Sequence, residues 1–223
     1  MWSAFEPLLY FLVLYVVFTG IRTTSNDFAI YLITGIMIFH IFGRGTSGGL
    51  SSIISNGGII KSISIKRIFF PLVTTTSSAI LALVTLGVLL GLMPVFQFIP
   101  TFTIFLLPLV LILLFILILG LSLLLSVLTV LVKDIQLLWP IFTHTLLFVS
   151  PIFWYVDKTE GILLKIQSIN PLGQLIEIAH KLVIDGKIPP LNDWLYTTIL
   201  ILGILFTGYL IFHKLQEQIV EEL

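Results

Sequence analysis

Arg44 is the residue in this chain whose chemistry most needs an explanation, because it sits inside an apolar stretch long enough to cross a bilayer. A cation at bilayer depth costs at least about 2.5 kcal/mol and ordinarily faces a cavity, a partner or a ligand. Two readings stand: a contact for an anionic group such as a lipid-linked phosphate, or an internal pair with a carboxylate such as Glu6. The densest cations are Lys61, Lys66 and Arg67, within a polar break at 55–71 (SNGGIIKSISIKRIFFP). Ile59, Ile60, Ile63, Ile65 and Ile68 alternate there with Lys and Ser, which suits a short amphipathic helix at a membrane face. A plain connector between two spans needs only a few turn residues. This one reads as a segment held from the aqueous side. Aromatic side chains form a third set. Phe11, Tyr15 and Phe18 recur at i, i+4, i+7, and Phe153, Trp154 and Tyr155 stand together. Rings along a path suit the flat faces of sugars; the alternative is an interfacial belt with core packing.

Catalytic chemistry is not expected. There is no Gly-x4-Gly-Lys-Ser/Thr phosphate loop, no His-Glu-x-x-His and no Gly-x-Ser-x-Gly,. The small residues at 45–49 (GTSGG) lack a following lysine and suit close helix packing instead. Cysteine is absent, which removes disulfides, thiolate metal sites and thiol nucleophiles,. His40, His144, His180 and His213 are scattered without metal spacing, so neither a metal nor a cofactor is expected in this chain. The formal net charge of zero suggests no nucleic-acid partner.

The elements that must position these groups are membrane helices. Hydrophobic residues make up 58% and charged residues 10%, against about 25% charged in soluble domains, and the mean hydropathy is +1.16. Apolar runs lie at 2–21, 28–54, 68–92, 101–132, 135–153 and 194–212, each near the length that spans a hydrocarbon core,. Such unalternating runs exclude a barrel, and lipid leaves helices as the remaining solution. The fold class is therefore all-α, a polytopic single domain over 1–223 with six transmembrane helices. The first run has no basic lead or small-residue cleavage site and reads as a span rather than a signal peptide.

The stretch 155–192 is the one soluble-looking piece. Asn170-Pro171 supplies an N-cap and a proline at the first helical position. Leu172, Leu175, Ile176, Ala179, Leu182 and Val183 then keep a 3.6-residue period, until Asp185-Gly186 and Pro189-Pro190 stop it,. This helix, at about 21 Å, is too short to span and should lie on, or dip into, one membrane face. A second short helix near 160–169 precedes it. Total basic counts tie across the two faces, but the short loops place Lys61–Arg67 on the cytoplasmic side, with both termini there and 155–192 outside.

Read in order, several landmarks resemble the ABC-2 type permeases that export polysaccharides, the membrane subunits of O-antigen and teichoic-acid transporters. These are Trp2 through Leu9, Gly35 through Phe42, Asn56 with Ile59-Ile60-Lys61, Arg67 with Pro71-Leu72, Lys133-Asp134, Ser150-Pro151-Ile152 and Asn170-Pro171-Leu172. Lys66 replaces a common proline, and His180 stands where an arginine often follows. Members usually carry an amphipathic helix ahead of the first span, whereas this sequence begins at the span itself, as either a truncated start or a short variant would. The resemblance implies a permease of the cytoplasmic (inner) membrane that works as a pair of copies. ATP and Mg would bind a separate ATPase gripping Asn56, Ile59, Ile60, Lys61, Lys66 and Arg67. It implies a lipid-linked glycan as cargo, passing Phe11, Tyr15, Phe18, Arg44, Phe153, Trp154 and Tyr155 among membrane lipids. An ABC-2 permease for a drug, lipid or other small amphiphile remains the alternative.

Overall fold

The computed structural model describes residues 26–62 and 65–217 with Leu9, Leu12, Val13 and Val16, and the regular elements among them are all helical. In chain order these are α1 (Asn26–Ser51), α2 (Gly57–Ser62), α3 (Phe69–Leu92), α4 (Leu107–Leu131), α5 (Ile135–Val149), α6 (Ile162–Ile169), α7 (Pro171–Val183) and α8 (Leu191–Leu215). Four helical stretches are long and apolar enough to cross a membrane: Asp27–Ser51, Phe69–Leu92, Phe102–Leu131 and Leu191–Leu215. The third joins a 3-10 turn at Phe102–Leu106 to α4. The expected span at 2–21 lies outside the described residues, apart from four helical, exposed positions.

The run at 135–153 is shorter as a helix than its apolarity suggests. α5 stops at Val149, and Ser150 is extended (φ −79°, ψ 148°). Ser150 precedes Pro151, whose ring disfavours the helical conformation in the residue before it. Fifteen residues reach only about 22 Å,. The helices expected near 160–169 and at 170–184 are α6 and α7.

α4 is the centre of the bundle, and α1, α3, α5, α7 and α8 all pack on it. Its Val110, Leu114, Leu117, Ile118 and Val127 are almost fully buried. Small residues set the closest approaches. A Cβ on Gly45 would sit 2.6 Å from Ile118 Cγ2, and one on Gly49 would sit 2.8 Å from the Ser122 Cα. The GTSGG stretch is thus a packing face against α4, as small residues permit. Gly120 of α4 meets the backbone of α8 at Leu205, where a Cβ would lie 2.7 Å from Cα, and a Cβ on Gly208 would overlap the Gly120 carbonyl.

The bundle has two distinguishable ends. At one, Ile53 beyond α1, Val127 and Val130 of α4 and Phe212 of α8 form an apolar cluster joined by Ile60 and Ile68. Arg67 Nη1 donates to the Gln216 carbonyl there, tying the segment before α3 to the end of α8. At the other end, α7 wedges between α1, α4 and α8, and Thr103 Oγ1 donates to the Leu182 carbonyl at 2.5 Å. We call these the basic end and the joint end.

Candidate functional site: a basic groove between two ends

Near the basic end, α1 and α5 leave a groove of about 310 Å³ whose lining includes His40, Arg44 and Ser47 of α1 with Pro140, Thr143 and His144 of α5. His40, Arg44 and Ser47 fall at i, i+4 and i+7, one stripe of a helix. Arg44 lies seven residues before the end of α1, about 10 Å from the basic end,. α5 is held by few groups; only Trp139 and Thr143 of it are buried. Trp139 Nε1 donates to Thr46 Oγ1 at 3.2 Å, fixing α5 against α1. His144 Nδ1 lies 2.6 Å from the Pro140 carbonyl. A carbonyl only accepts, so Nδ1 carries the proton and Nε2 is the nitrogen left for a ligand. The groove thus gathers an arginine, two imidazoles and two hydroxyls on a lining otherwise apolar through Ile36, Phe39 and Leu147, and an arginine is a side chain of the kind that holds a phosphoryl group. Sequence reading isolated Arg44 and missed its company. The His40–Arg44 spacing was visible along one helix, whereas His144 joins only through the packing of α5. Among the described residues no cluster has the makings of a metal site.

The segment 55–71 divides its side chains. α2 is six residues long; Ile59 is 44% exposed, while Ile60 packs on the apolar cluster of the basic end. Asn56 Nδ2 donates to the Ser52 carbonyl at 2.7 Å and closes the turn out of α1. Lys61 and Lys66 are exposed, whereas Arg67 is turned into the chain's own α8. Outward apolar contact from this segment therefore falls on Ile59 and Ile65, with Lys61 and Lys66 beside them.

At the joint end, the two motifs Ser150-Pro151-Ile152 and Asn170-Pro171-Leu172 bond to one another. Asn170 Nδ2 donates to Ser150 Oγ at 3.1 Å, and Asn170 Oδ1 accepts from the Leu172 amide at 3.1 Å as the N-cap of α7. Tyr31 OH donates to the carbonyls of Pro151 (2.9 Å) and Trp154 (2.6 Å). His180 stacks on Tyr31 with centroids 3.7 Å apart, and its Nε2 donates to the Tyr31 carbonyl at 3.0 Å. Burial pushes the His180 imidazole down to about 3, so the ring is neutral,. Gly35 makes the room: a Cβ there would meet Ile152 Cγ1 at 3.2 Å and His180 Nε2 at 3.4 Å. Within the chain, the motif residues clasp α7 to α1.

Of the aromatic set, Phe11, Tyr15 and Phe18 lie outside the described residues. Phe153, Trp154 and Tyr155 are brought together at the joint end, in contacts within the chain. Phe153 packs 6.0 Å from Phe148, Trp154 Nε1 donates to the Phe148 carbonyl at 3.1 Å, and Tyr155 lies 4.5 Å from Tyr31.

The described residues form a bundle of apolar helices, four of its helical stretches long enough to cross a membrane, which is the architecture of a membrane protein. The sequence profile of the ABC-2 type transporter family matches residues 1–183, and the chain belongs to that family. It is similar to two proteins of Klebsiella pneumoniae, each called O-antigen export system permease protein RfbA. The identity is 26% over 226 residues, covering 99% of this chain and 86% of each relative.

Proposed function

We propose that this chain is the permease of an ATP-driven exporter that moves a lipid-linked polysaccharide across the cytoplasmic membrane, as a pair of copies served by a separate ATPase. The observation that carries the reading is the groove of His40, Arg44 and His144, in which Arg44 lies about 10 Å from the basic end,. A glycan on a lipid carrier presents a phosphoryl group at the membrane surface, and a groove in the bundle wall admits it from the side. The similarity to O-antigen export permeases supports the same cargo class. In this reading six spans cross the membrane, both termini are cytoplasmic, and the basic end faces the cytoplasm. α2 is the coupling helix, offering Ile59 and Lys61 to the ATPase, while Ile60 and Arg67 seat the segment on the bundle. ATP and Mg act on the ATPase.

The test is a null strain complemented with variants at matched protein level. Loss of the wild-type gene abolishes surface polysaccharide and leaves lipid-linked polymer inside the cell. Arg44→Ala reproduces that loss at least in part, while Arg44→Lys retains part of the export. Normal surface polymer in the null strain, with a lost resistance to some amphiphile, assigns the chain to small-molecule export instead.

A further inference from the structure

A second basic recess lies outside the groove, at the rim of the basic end. It has a volume of about 700 Å³ and lies between the segment before α3 and the last turns of α8, with Lys66, Arg67, Tyr209 and His213 around a floor of Ile68 and Phe212. Lys66 and His213 are exposed, and Phe212 is fully buried. Tyr209 and His213 are one turn apart with rings 6.1 Å from each other, both exposed, so an imidazole and a phenol hydroxyl line one side of the recess. Arg67 gives one N–H to the Gln216 carbonyl, which neutralises the negative end of α8, and a guanidinium has five N–H donors in all,. Lys214 follows on the same turn, and Glu217 is the acidic neighbour just past the helix.

What surrounds the recess decides its occupant. The first turns of α3 expose Leu72 (38%) and Val73 (59%), and the last turns of α8 expose Phe206 (63%) and Leu210 (48%). Both helices run from the recess toward the other end of the bundle as apolar, membrane-length elements. A phosphate placed among Lys66, Arg67 and Tyr209 thus finds apolar walls beside it for acyl chains. An acidic side chain of a soluble partner has no use for those walls. A phenol one turn inside a basic rim is also the usual order of groups at a membrane interface. Basic pockets between transmembrane helices hold anionic headgroups in this way.

We infer that the Lys66–Arg67–Tyr209–His213 recess binds the headgroup of an anionic glycerophospholipid of the surrounding membrane. The site is separate from the groove at Arg44 and does not depend on which cargo is exported. The bound lipid fills the space between the coupling segment and α8, and so adds to the contact that Arg67 makes between them.

The experiment is native mass spectrometry of the full-length purified chain, titrated in detergent with phosphatidylglycerol and, separately, phosphatidylcholine. Each basic side chain near a membrane surface is worth about fivefold in binding. Wild type should therefore retain phosphatidylglycerol over phosphatidylcholine by on the order of tenfold. Lys66→Gln should reduce that preference about fivefold, and Lys66→Arg should restore it. Tyr209→Phe should weaken retention at unchanged charge. Lys66 is exposed, so its replacement leaves the fold intact, and the thermal transition of each variant checks this. The inference is overturned if wild type shows no preference, or if Lys66→Gln leaves it undiminished. It is equally overturned if Lys66→Gln weakens assembly with the ATPase while lipid retention stays at wild-type level, since the recess then reads an acidic partner.

Discussion

The contact between α4 and α8 provides a sharp test of the packing, because a control is built into the same helix. A methyl at Gly120 would sit 2.7 Å from the Leu205 Cα and 2.8 Å from its amide nitrogen, whereas ordinary Cβ contacts begin near 3.4 Å. Those neighbours are backbone and cannot rotate away, so the helices must part by about 0.7 Å. Gly208 is in the same position, its Cβ directed at the Gly120 carbonyl. Overpacking by one methyl against an unyielding neighbour costs up to about 3 kcal/mol. Replacing glycine by alanine inside a helix returns about 1 kcal/mol, so Gly208→Ala should destabilise by about 2 kcal/mol net. Gly203 has nothing within 4 Å of its virtual Cβ, so Gly203→Ala should keep the gain of about 1 kcal/mol,. For a chain of this size 1 kcal/mol moves the midpoint by about 2–4 °C. In a thermal series followed by the monodisperse peak on size exclusion, Gly208→Ala and Gly120→Ala should melt about 4–8 °C below wild type, and Gly203→Ala slightly above it. If Gly203→Ala and Gly208→Ala melt together, the α4–α8 contact is not as close as argued.

The joint end gives a coupling measurement. Asn170→Ala removes the N-cap of α7 and the bond to Ser150, and should cost about 2 kcal/mol,; the Asn170/Ser150 double-mutant cycle in the same melts should show about 1 kcal/mol of interaction, and strict additivity refutes the bond. Glu177 on α7 gives a pH dependence. Burial raises its carboxyl to about 7, against the lowering influence of Lys181, 3.8 Å away. Below the ordinary value of 4.5 both folded and unfolded states are protonated and no penalty exists; stability is lost as pH rises to 7, where the full penalty of about 3 kcal/mol is reached,. Glu177→Gln should therefore match wild type at pH 4 and exceed it at pH 8 in thermal melts, and an equal offset at both refutes the assignment. In α2, Ile59→Asp should leave the melt unchanged while lowering co-purification with the ATPase, whereas Ile60→Asp should lower the melt by about 2 kcal/mol or more,. A stable Ile60→Asp protein would show that its contact with the bundle is weak.

The membrane class and four of the six expected spans, those among the described residues that reach membrane length, were legible from apolar length, because lipid leaves the backbone few alternatives,. α7 was legible in detail for a local reason: its cap, proline and stop residues all lie within about twenty positions of sequence. The end of α5 was misread by apolarity alone. Phe153 is as apolar as its predecessors, but Pro151 fixes the backbone of Ser150 and ends the helix at Val149,. The Arg44 groove was half legible. His40 is its helical neighbour, but His144 lies a hundred residues on, and no periodicity links α1 to α5. The inward turn of Ile60 and Arg67 was hidden for the same reason, since α8, which receives them, comes at the end of the chain. His180 read as one of four scattered histidines without metal spacing. Its partners are a ring and a carbonyl of Tyr31, 149 residues earlier.

Rigid and yielding contacts are separated along α1, and the separation bears on where a transport cycle can bend the molecule. One part of α1 meets α4 through Gly45 and Gly49, and another is clasped by α7 through Tyr31, Gly35 and His180. α8 meets α4 backbone to backbone at Gly120 and Gly208. Moving any of these elements breaks close contacts whose partners cannot follow, because packed interiors hold discrete arrangements rather than deforming smoothly. α5 is different. It carries a proline at 140, only Trp139 and Thr143 are buried, and Trp139 holds it to α1 through its bond to Thr46 and its ring contact with Phe42. Its exits are a short turn at Lys133-Asp134 and the extended Ser150, both places where the backbone can pivot. Displacing α5 therefore breaks fewer contacts than displacing α1, α3, α4, α7 or α8, and α5 is also a wall of the groove that holds Arg44. If the groove opens for a headgroup, as proposed, opening it and preserving the bundle are compatible demands, because they fall on different helices.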